Sequence, residues 1–358
     1  MKFIHLSDLH IGKRVNEFSM INDQKYILEQ ILNIIANEEI NAVIVSGDVY
    51  DKSIPAVEAV TVFDDFLTEL ATKDITTLII SGNHDSPERL GFGSKIMQNN
   101  GVHIYSVFDG ELHKVKIDDV NFYMLPFVKP IMVRRFYPEV ETYEDAVRAI
   151  IENTDIDKSQ KNVILSHQFI TKTGAETMRS DSESVSVGGL DNIDISVFDD
   201  FDYTALGHIH RPQALMKDRI IYAGALEPID RNDVGPHGYV KGEITEAGVH
   251  TQWIPCAMRS YIHLEVPVNT EDTMGSVRKK ILEAVKDYGA ENMYKIILTG
   301  YRDPDLRFDT ERMDRDGNLL EVIDETAPQY DMEDLLQENE GTLLGEYIRR
   351  FKDCEKDS

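Results

Sequence analysis

The 358-residue chain has two cysteines, Cys256 and Cys354, far apart and without metal-ligand spacing. This excludes a disulfide framework and a cysteine-rich zinc site, and makes a reducing cytoplasm the expected compartment. No apolar run reaches the ~20 residues that a membrane helix needs. Met1-Lys2-Phe3-Ile4 leads directly into a strand pattern, so no signal peptide is expected. A G-x-x-x-x-G-K-[ST] phosphate loop is missing. Gly91-Phe92-Gly93-Ser94-Lys95 is rich in glycine but has the wrong spacing, and is read as a local turn. Asp314-x-Asp316-Gly317 hints at a calcium loop, but its first and last ligand positions would be Arg312 and Ile323, which excludes one. There are no internal repeats and no low-complexity segments. Positive charge is scarce: 37 Lys and Arg stand against 64 Asp and Glu, a net of −27. Such a balance opposes a nucleic-acid partner, whose phosphates need local positive charge. The deficit is uneven, with 18 acidic and 7 basic residues from Asp303 to Ser358, a net of −11.

A chain of this length, with 42% hydrophobic residues, can bury a sizeable core in two domains or one with an appendage. Its first hundred residues alternate strand and helix. Lys2–Ser7 reads as a strand and delivers Asp8 and His10, two residues apart and therefore on one side. As a pair alone, these are as well explained by a capped turn as by a metal grip. A helix over roughly Asn22–Glu38 carries Ile27, Ile31, Ile34 and Ile35 at helical spacing. Ala42–Val45 is an all-apolar strand ending in Ser46-Gly47-Asp48. A second helix, entered at Pro55, presents Val57, Val60, Phe63, Leu67 and Leu70. Ile75–Ile80 is a third strand, followed by Ser81-Gly82-Asn83-His84-Asp85, then Ser86 as a helix cap and Pro87 at the first helical position. Short apolar strands separated by helices imply a parallel sheet covered on both faces, with its ligand site beyond the carboxyl ends of the strands.

The rhythm then changes. Val102–Ser106, Leu112–Ile117 and Asn121–Leu125 read as shorter, antiparallel strands, followed by a helix over about Tyr143–Asn153. Asn162–Ser166 ends in His167, and Tyr203–Gly207 ends in His208-Ile209-His210. Ile220–Gly224, Gly238–Ile244 and His250–Pro255 read as meander strands of a second sheet. Between them, Thr171–Gly189 is a long polar loop. A core domain over 1–258 is expected. A small α/β cap follows over 259–302 with part of 303–330, built of Ile262–Val268, Thr273–Tyr288 and Met293–Thr299. Residues 331–358 form an acidic end with helices at about Met332–Gln337 and Leu343–Phe351.

The strand ends thus carry Asp8, His10, Asp48, Asn83, His84, His167, His208 and His210. His5, His103, His113, His237, His250 and His263 fall within strands or loops and read as structural. Carboxylate, imidazole and amide oxygen together suit Mn²⁺, Fe²⁺ or Zn²⁺ better than Ca²⁺ or Mg²⁺. Seven ligands exceed one ion and suit two, with Asp48 as the natural bridge. Two ions ~3.5–4 Å apart can clamp a phosphate and activate water. The remaining histidine can stabilise developing charge or protonate the leaving oxygen.

Asp8-x-His10, Gly47-Asp48-x-x-Asp51, Gly82-Asn83-His84-Asp85, His167 and Gly207-His208-x-His210 resemble the calcineurin-like metallophosphoesterases in order and spacing. More narrowly, the chain resembles the nuclease subunits of bacterial DNA-repair complexes. That similarity rests on His5–Gly12, Gly47–Asp51, Gly82–Ser86, Ser184–Gly189 and Ala205–Gln213, and covers roughly residues 1–255. It implies an α/β sandwich of two mixed sheets flanked by helices, with a small C-terminal cap. One metal would be held by Asp8, His10, Asp48 and His210, the other by Asp48, Asn83, His167 and His208. Mn is the ion implied, with Mg, Fe and Zn as alternatives. His84 would be catalytic, and Asp51 and Asp85 would orient imidazoles. The resemblance further implies exonuclease and endonuclease action on double-strand ends and hairpins of DNA, a homodimer, and an SMC-type ATPase as partner in repair, recombination and replication. Two features depart from that pattern. Gly224-Ala225-Leu226-Glu227-Pro228 stands where a Gly-Ser-Pro turn is usual, and the C-terminal region is short and acidic. Leu343, Leu344, Tyr347, Ile348 and Phe351 form an apolar helix face that either meets the ATPase or packs on the cap. Lys13, Arg14, Lys52, Arg89 and Arg211, with Lys129, Arg134, Arg135 and Arg179, could line a DNA path. Otherwise they are solvated charges. A phosphoesterase for small phosphodiesters or phosphoproteins and a non-catalytic scaffold are the competing readings.

Overall fold

Side-chain alternation decides which face of each strand is covered. Strand β1 (Lys2–Leu6) puts Phe3 on one face and Ile4 and Leu6 on the other, and all three are fully buried. After helix α1 (Ile21–Asn37), strand β2 (Ala42–Ser46) repeats this with Ala42 and Ile44 against Val43 and Val45. Helix α2 (Val57–Thr72) leads to β3 (Thr76–Ile80), and β4 (Val102–Tyr105) follows. These four strands run parallel in the order β1-β2-β3-β4. The structure, a computed structural model, describes residues 1–15, 18–172, 191–230, 232–233, 235–289, 291–310, 313, 318–330 and 332–356, with backbone alone from 351 onward.

The second sheet is built from β5 (His113–Ile117), β6 (Val120–Leu125), β7 (Lys161–Ser166), β8 (Tyr203–Leu206), β9 (Gln213–Met216) and β10 (Ile220–Tyr222). Its order is β9-β10-β8-β7-β6-β5, with the four central strands parallel and both edges antiparallel. Helix α3 (Tyr143–Glu152) covers its outer face with Ala146, Val147, Ile150 and Ile151. A capping box between Thr142 and Asp145 starts that helix. Between the sheets, Phe3, Ile44, Leu78 and Ile80 meet Phe122, Met124, Val163, Leu165, Tyr203 and Ala205 in one apolar layer. The helices α1 and α2 cover the opposite face of the first sheet. The result is a mixed α/β sandwich of two mixed sheets flanked by helices.

Three expectations need correction. The hairpin β11 (Gly238–Thr245) and β12 (Gly248–Pro255) joins the first sheet, antiparallel beside β1, and not the second. Where the hairpin meets β1, Gly242 pairs with Phe3 and leaves room for its ring, with which a side chain there would collide. Strand β4 pairs parallel with β3, not antiparallel. Ser86 does precede the short helix Pro87–Leu90, but its side chain makes no capping hydrogen bond. The motif Ser184–Gly189, most of the polar loop and Arg179 lie outside the described residues.

The chain divides into Met1–Ser260 and Tyr261–Ser358. In the second unit, β13 (Tyr261–Val268), β14 (Met293–Arg302) and β15 (Leu319–Asp324) form a parallel sheet. Helix α4 (Met274–Tyr288) buries Val277, Ile281 and Val285 beside it. Helices α5 (Met332–Glu338) and α6 (Leu343–Lys356) complete this unit. Among the described residues, no helix is long and apolar enough to cross a membrane.

Candidate metal centre

All the strand-end residues singled out above come from the carboxyl ends of β1, β2, β3, β7 and β8 or the turns that follow. Asp8, His10, Asp48 and His208 have φ of +50°, +41°, +50° and +94°, a region that residues with a side chain rarely adopt. The turns are held in place by backbone bonds: Asp8 N–H donates to Gly47 O (3.1 Å) and His10 N–H to Asp48 O (3.0 Å). Glycines let the turns close on one another. A Cβ at Gly82 would strike Asp48, one at Gly47 would strike His167, and one at Gly207 would strike Ser46 O and His167.

The donors converge. Asp8, His10 and His210 each offer one atom within 4.8 Å of the others, as do Asp8, Asp48 and His167, and His10, Asp48 and His84. His10 Nε2 and His210 Nε2 are 3.3 Å apart, and His167 Nε2 is 3.2 Å from Asp48 Oδ2. Asn83 Oδ1 lies 3.1 Å from His167 Nε2 and 3.0 Å from His208 Nδ1. His208 N–H also donates to Asp8 Oδ1 (3.0 Å). Asp8 and His10 are fully buried, as is His167, while Asn83, His84 and His208 are half-buried on the open side.

Tautomers show that the donor set fits divalent cations. Ser46 O, which can only accept, is 2.6 Å from His167 Nδ1. That nitrogen therefore carries a proton, and Nε2 faces Asp48 and Asn83. Burial lowers the pKa of this ring, but Asp48 and Asp8 outweigh burial and hold it up at about 9, so in the metal-free chain Nε2 also carries a proton at neutral pH and would ligate a cation once that proton leaves. His84 Nδ1 likewise donates to Asp51 O (3.1 Å), which turns Nε2 away from that carbonyl. Burial pushes His10 down to about 4 and His210 well below the ordinary histidine value, so both are neutral ligand-type imidazoles. Burial also works to raise Asp48, but His167, His10 and His84 outweigh it and hold this carboxyl well below the usual range. Asp8 is pushed up to about 6 by burial, with His167 opposing and Asp48 adding. Two buried carboxylates facing several imidazoles at these spacings are a metal-type donor set.

Other predicted residues fall differently. Asp85 does not orient an imidazole. It accepts the backbone N–H groups of Gly82 (2.9 Å), Tyr50 (3.0 Å) and Val49 (3.2 Å), tying two of the turns together. Asp51 reaches His10 Nδ1 only to 3.9 Å and pairs with Lys13 at 2.9 Å. Arg89 donates to Ser53 O (3.0 Å), Lys52 is exposed, and Arg211 has its Nε buried. Gln24 on α1 carries no signal in the sequence pattern. Its Nε2 donates to His10 O (3.0 Å), and its Oε1 accepts from Gly12 N–H (2.9 Å). It thereby clamps the first ligand turn from behind. Beside it, the carboxyl of Glu227 is buried.

The calcineurin-like phosphoesterase family model matches residues 1–212, more than half of the chain. The chain belongs to that family. With the Asp and His cluster in place, it is a metallophosphoesterase, a metal-binding hydrolase of phosphoesters. Among solved structures, a dimetal phosphatase from Danio rerio is 12% identical, with 72% of this chain and 99% of that one covered and a TM-score of 0.42. The protein TT1561 of Thermus thermophilus is 9% identical, with 70% and 97% covered and a TM-score of 0.41.

Proposed function

We propose that the chain is a two-metal DNA nuclease of the SbcD type, hydrolysing phosphodiester bonds as a subunit of a repair complex with an SMC-type ATPase. The observation that carries the hydrolase part is the convergence of Asp8, His10, Asp48, Asn83, His167, His208 and His210 beside His84. One cation would be held by Asp8, His10, Asp48 and His210, and the other by Asp48, Asn83, His167 and His208, with Mn²⁺ the ion of choice. Bound divalent ions would polarise the phosphate and supply hydroxide at neutral pH. His84 N–H donates to Asp48 Oδ1 (2.8 Å), and its ring is fixed through Nδ1 to Asp51 O. With Nδ1–H held by Asp51 O, the ring in its imidazolium form, protonated on both nitrogens, would hand the Nε2 proton to the leaving oxygen and be left as the neutral imidazole, a role worth about 10²–10⁴-fold in rate. Asp48 and His167 keep complementary charge in the buried floor.

The nuclease part rests on the motif resemblance described above. A homodimer is supported by a separate surface. Ile54, Val57, Phe92 and Ile96 are 70%, 84%, 84% and 74% exposed, and the Arg89–Ser53 bond draws their two segments together. A second copy would cover these exposed apolar side chains. Val57→Asp with Phe92→Asp should then turn a dimer into a monomer in sedimentation velocity. The ATPase partner has a candidate surface on α6, where Leu343, Leu344 and Tyr347 are exposed while Ile348 is buried.

A specific observation favours a phosphoesterase for small phosphodiesters instead. The net charge is −27, and of the basic residues expected to meet DNA, Lys13 and Arg89 are engaged within the protein. One assay decides. Purified protein with Mn²⁺ is given end-labelled duplex DNA and, separately, bis(p-nitrophenyl) phosphate, with EDTA and His84→Ala controls. Degradation of DNA that depends on metal and His84 supports the nuclease. Hydrolysis of the small diester alone, with and without the ATPase, moves the assignment to the second reading. Inactivity on both substrates in the presence of the ATPase would identify a binding scaffold.

A further inference from the structure

Asp51 stands between two donors. The same oxygen, Oδ1, lies 2.9 Å from Lys13 Nζ and 3.9 Å from His10 Nδ1. The first distance is a formed ion pair; the second is too long for a hydrogen bond. His10 Nδ1 is buried with no hydrogen-bond partner. Yet an imidazole that turns Nε2 toward a cation carries its proton on Nδ1, and that proton calls for an acceptor. The carboxylate oxygen that faces it is drawn toward Lys13 instead.

Resting on the metal reading above, we propose that Lys13 is a positioning residue of the metal centre. By holding the Asp51 oxygen that faces His10 Nδ1, it sets how firmly His10 grips a divalent cation. The backbone around Lys13 is fixed, because its N–H donates to His10 O (3.0 Å) and its carbonyl accepts from Met20 (3.0 Å). The side chain is 20% exposed, so its ammonium is in reach of a solute from the solvent side. An anionic phosphate arriving beside the ligand turns draws the ammonium off Asp51. The carboxylate then closes on His10 Nδ1–H, making it a stronger ligand. Substrate and metal thereby reinforce each other through one shared oxygen.

Isothermal titration with Mn²⁺ tests this in the full-length chain, with and without inorganic phosphate. In the wild type, phosphate should tighten Mn²⁺ binding several-fold. Lys13→Met should bind Mn²⁺ several-fold tighter without phosphate and gain nothing when it is added. Asp51→Asn should bind about 10–100-fold more weakly. Lys13→Met made in the Asp51→Asn background should change nothing further. A gain from Lys13→Met that persists in that background reflects simple removal of positive charge, and overturns the proposal. So does an unchanged Mn²⁺ affinity in Lys13→Met with the thermal melt of the metal-free protein intact. A wild type that takes up no Mn²⁺ overturns the metal reading itself, and is told apart from the other failures by that titration alone.

Discussion

His5 Nδ1 lies 2.9 Å from the hydroxyl of Tyr203, and both residues are fully buried in the layer between the two sheets. The pair joins β1 to β8, the strands that deliver Asp8, His10, His208 and His210. Tyr203→Phe should cost about 1–3 kcal/mol, because it leaves a buried ring nitrogen unpaired. His5→Leu combined with Tyr203→Phe should be closer to neutral, since both polar partners leave together. Urea unfolding at pH 7.5 measures both. Burial pushes His5 down to about 3, with a backbone bond to Leu206 opposing. A depressed histidine contributes its stability in full above the unfolded value of about 6.5 and loses it as pH falls toward 3. The double variant should therefore lose less stability than the wild type between those two pH values.

Metal removal should destabilise the first unit. Ligand that binds only the folded chain adds about 2.7 kcal/mol at one hundred times its Kd. Mn²⁺ should raise the melting temperature accordingly, EDTA should reverse the rise, and Asp48→Asn should abolish most of it. The sign with pH follows from His167. Burial lowers it, but Asp48 and Asp8 outweigh burial and hold it up at about 9. Below that pH a proton must leave before Nε2 can ligate, so Mn²⁺ affinity should rise with pH toward 9. A flat or falling titration series would contradict this.

Gly82 offers a subtler substitution. Its alanine variant would push against the Asp48 carboxylate and backbone nitrogen. Gly82→Ala should lose at least about tenfold in Mn²⁺ affinity, by analogy with the loss of a supporting contact to a ligand. Circular dichroism should still report a folded sandwich. Unaltered Mn²⁺ binding would show that the turn relaxes without moving Asp48.

Glu227 is 3% exposed, and burial raises it well above the usual carboxylate range; Asp23 adds to this while Gln24 and Arg259 oppose it. A carboxyl whose folded value is raised favours the folded state at low pH, and that advantage is lost as pH rises past the unfolded value of about 4.3. Glu227→Gln should therefore melt higher than the wild type at pH 8, with the gap narrowing at pH 5. Equal melting curves at both pH values would place a charge-compensated carboxylate there.

The placing of the candidate ligands at strand ends was legible because chemistry and local pattern coincide. Asp8, Asp48, Asn83, His167 and His208 each follow an apolar strand, and strands of a parallel sheet end together. The partners of those ligands were not. Gln24 sits on a helix face that reads as ordinary amphipathic pattern, and Glu227 lies in a turn where a glutamate reads as exposed. The family resemblance implies an imidazole-orienting role for Asp85, but its carboxylate accepts three backbone N–H groups that no spacing reveals. The sheet membership of β11 and β12 was equally hidden. Alternation shows that a hairpin has a covered face, not which sheet it joins, and the pairing of Gly242 with Phe3 that places it beside β1 leaves no local signal.

Asp8, His10, Asp48 and His208 hold a backbone conformation in which glycine or asparagine would rest more easily. The sequence thus keeps its chemistry against its own local preference at four separate turns. Replacing any one of them by glycine would relax the chain while disarming it. A dead variant of this protein that outlasts the live one in heat is the expected by-product of such an architecture.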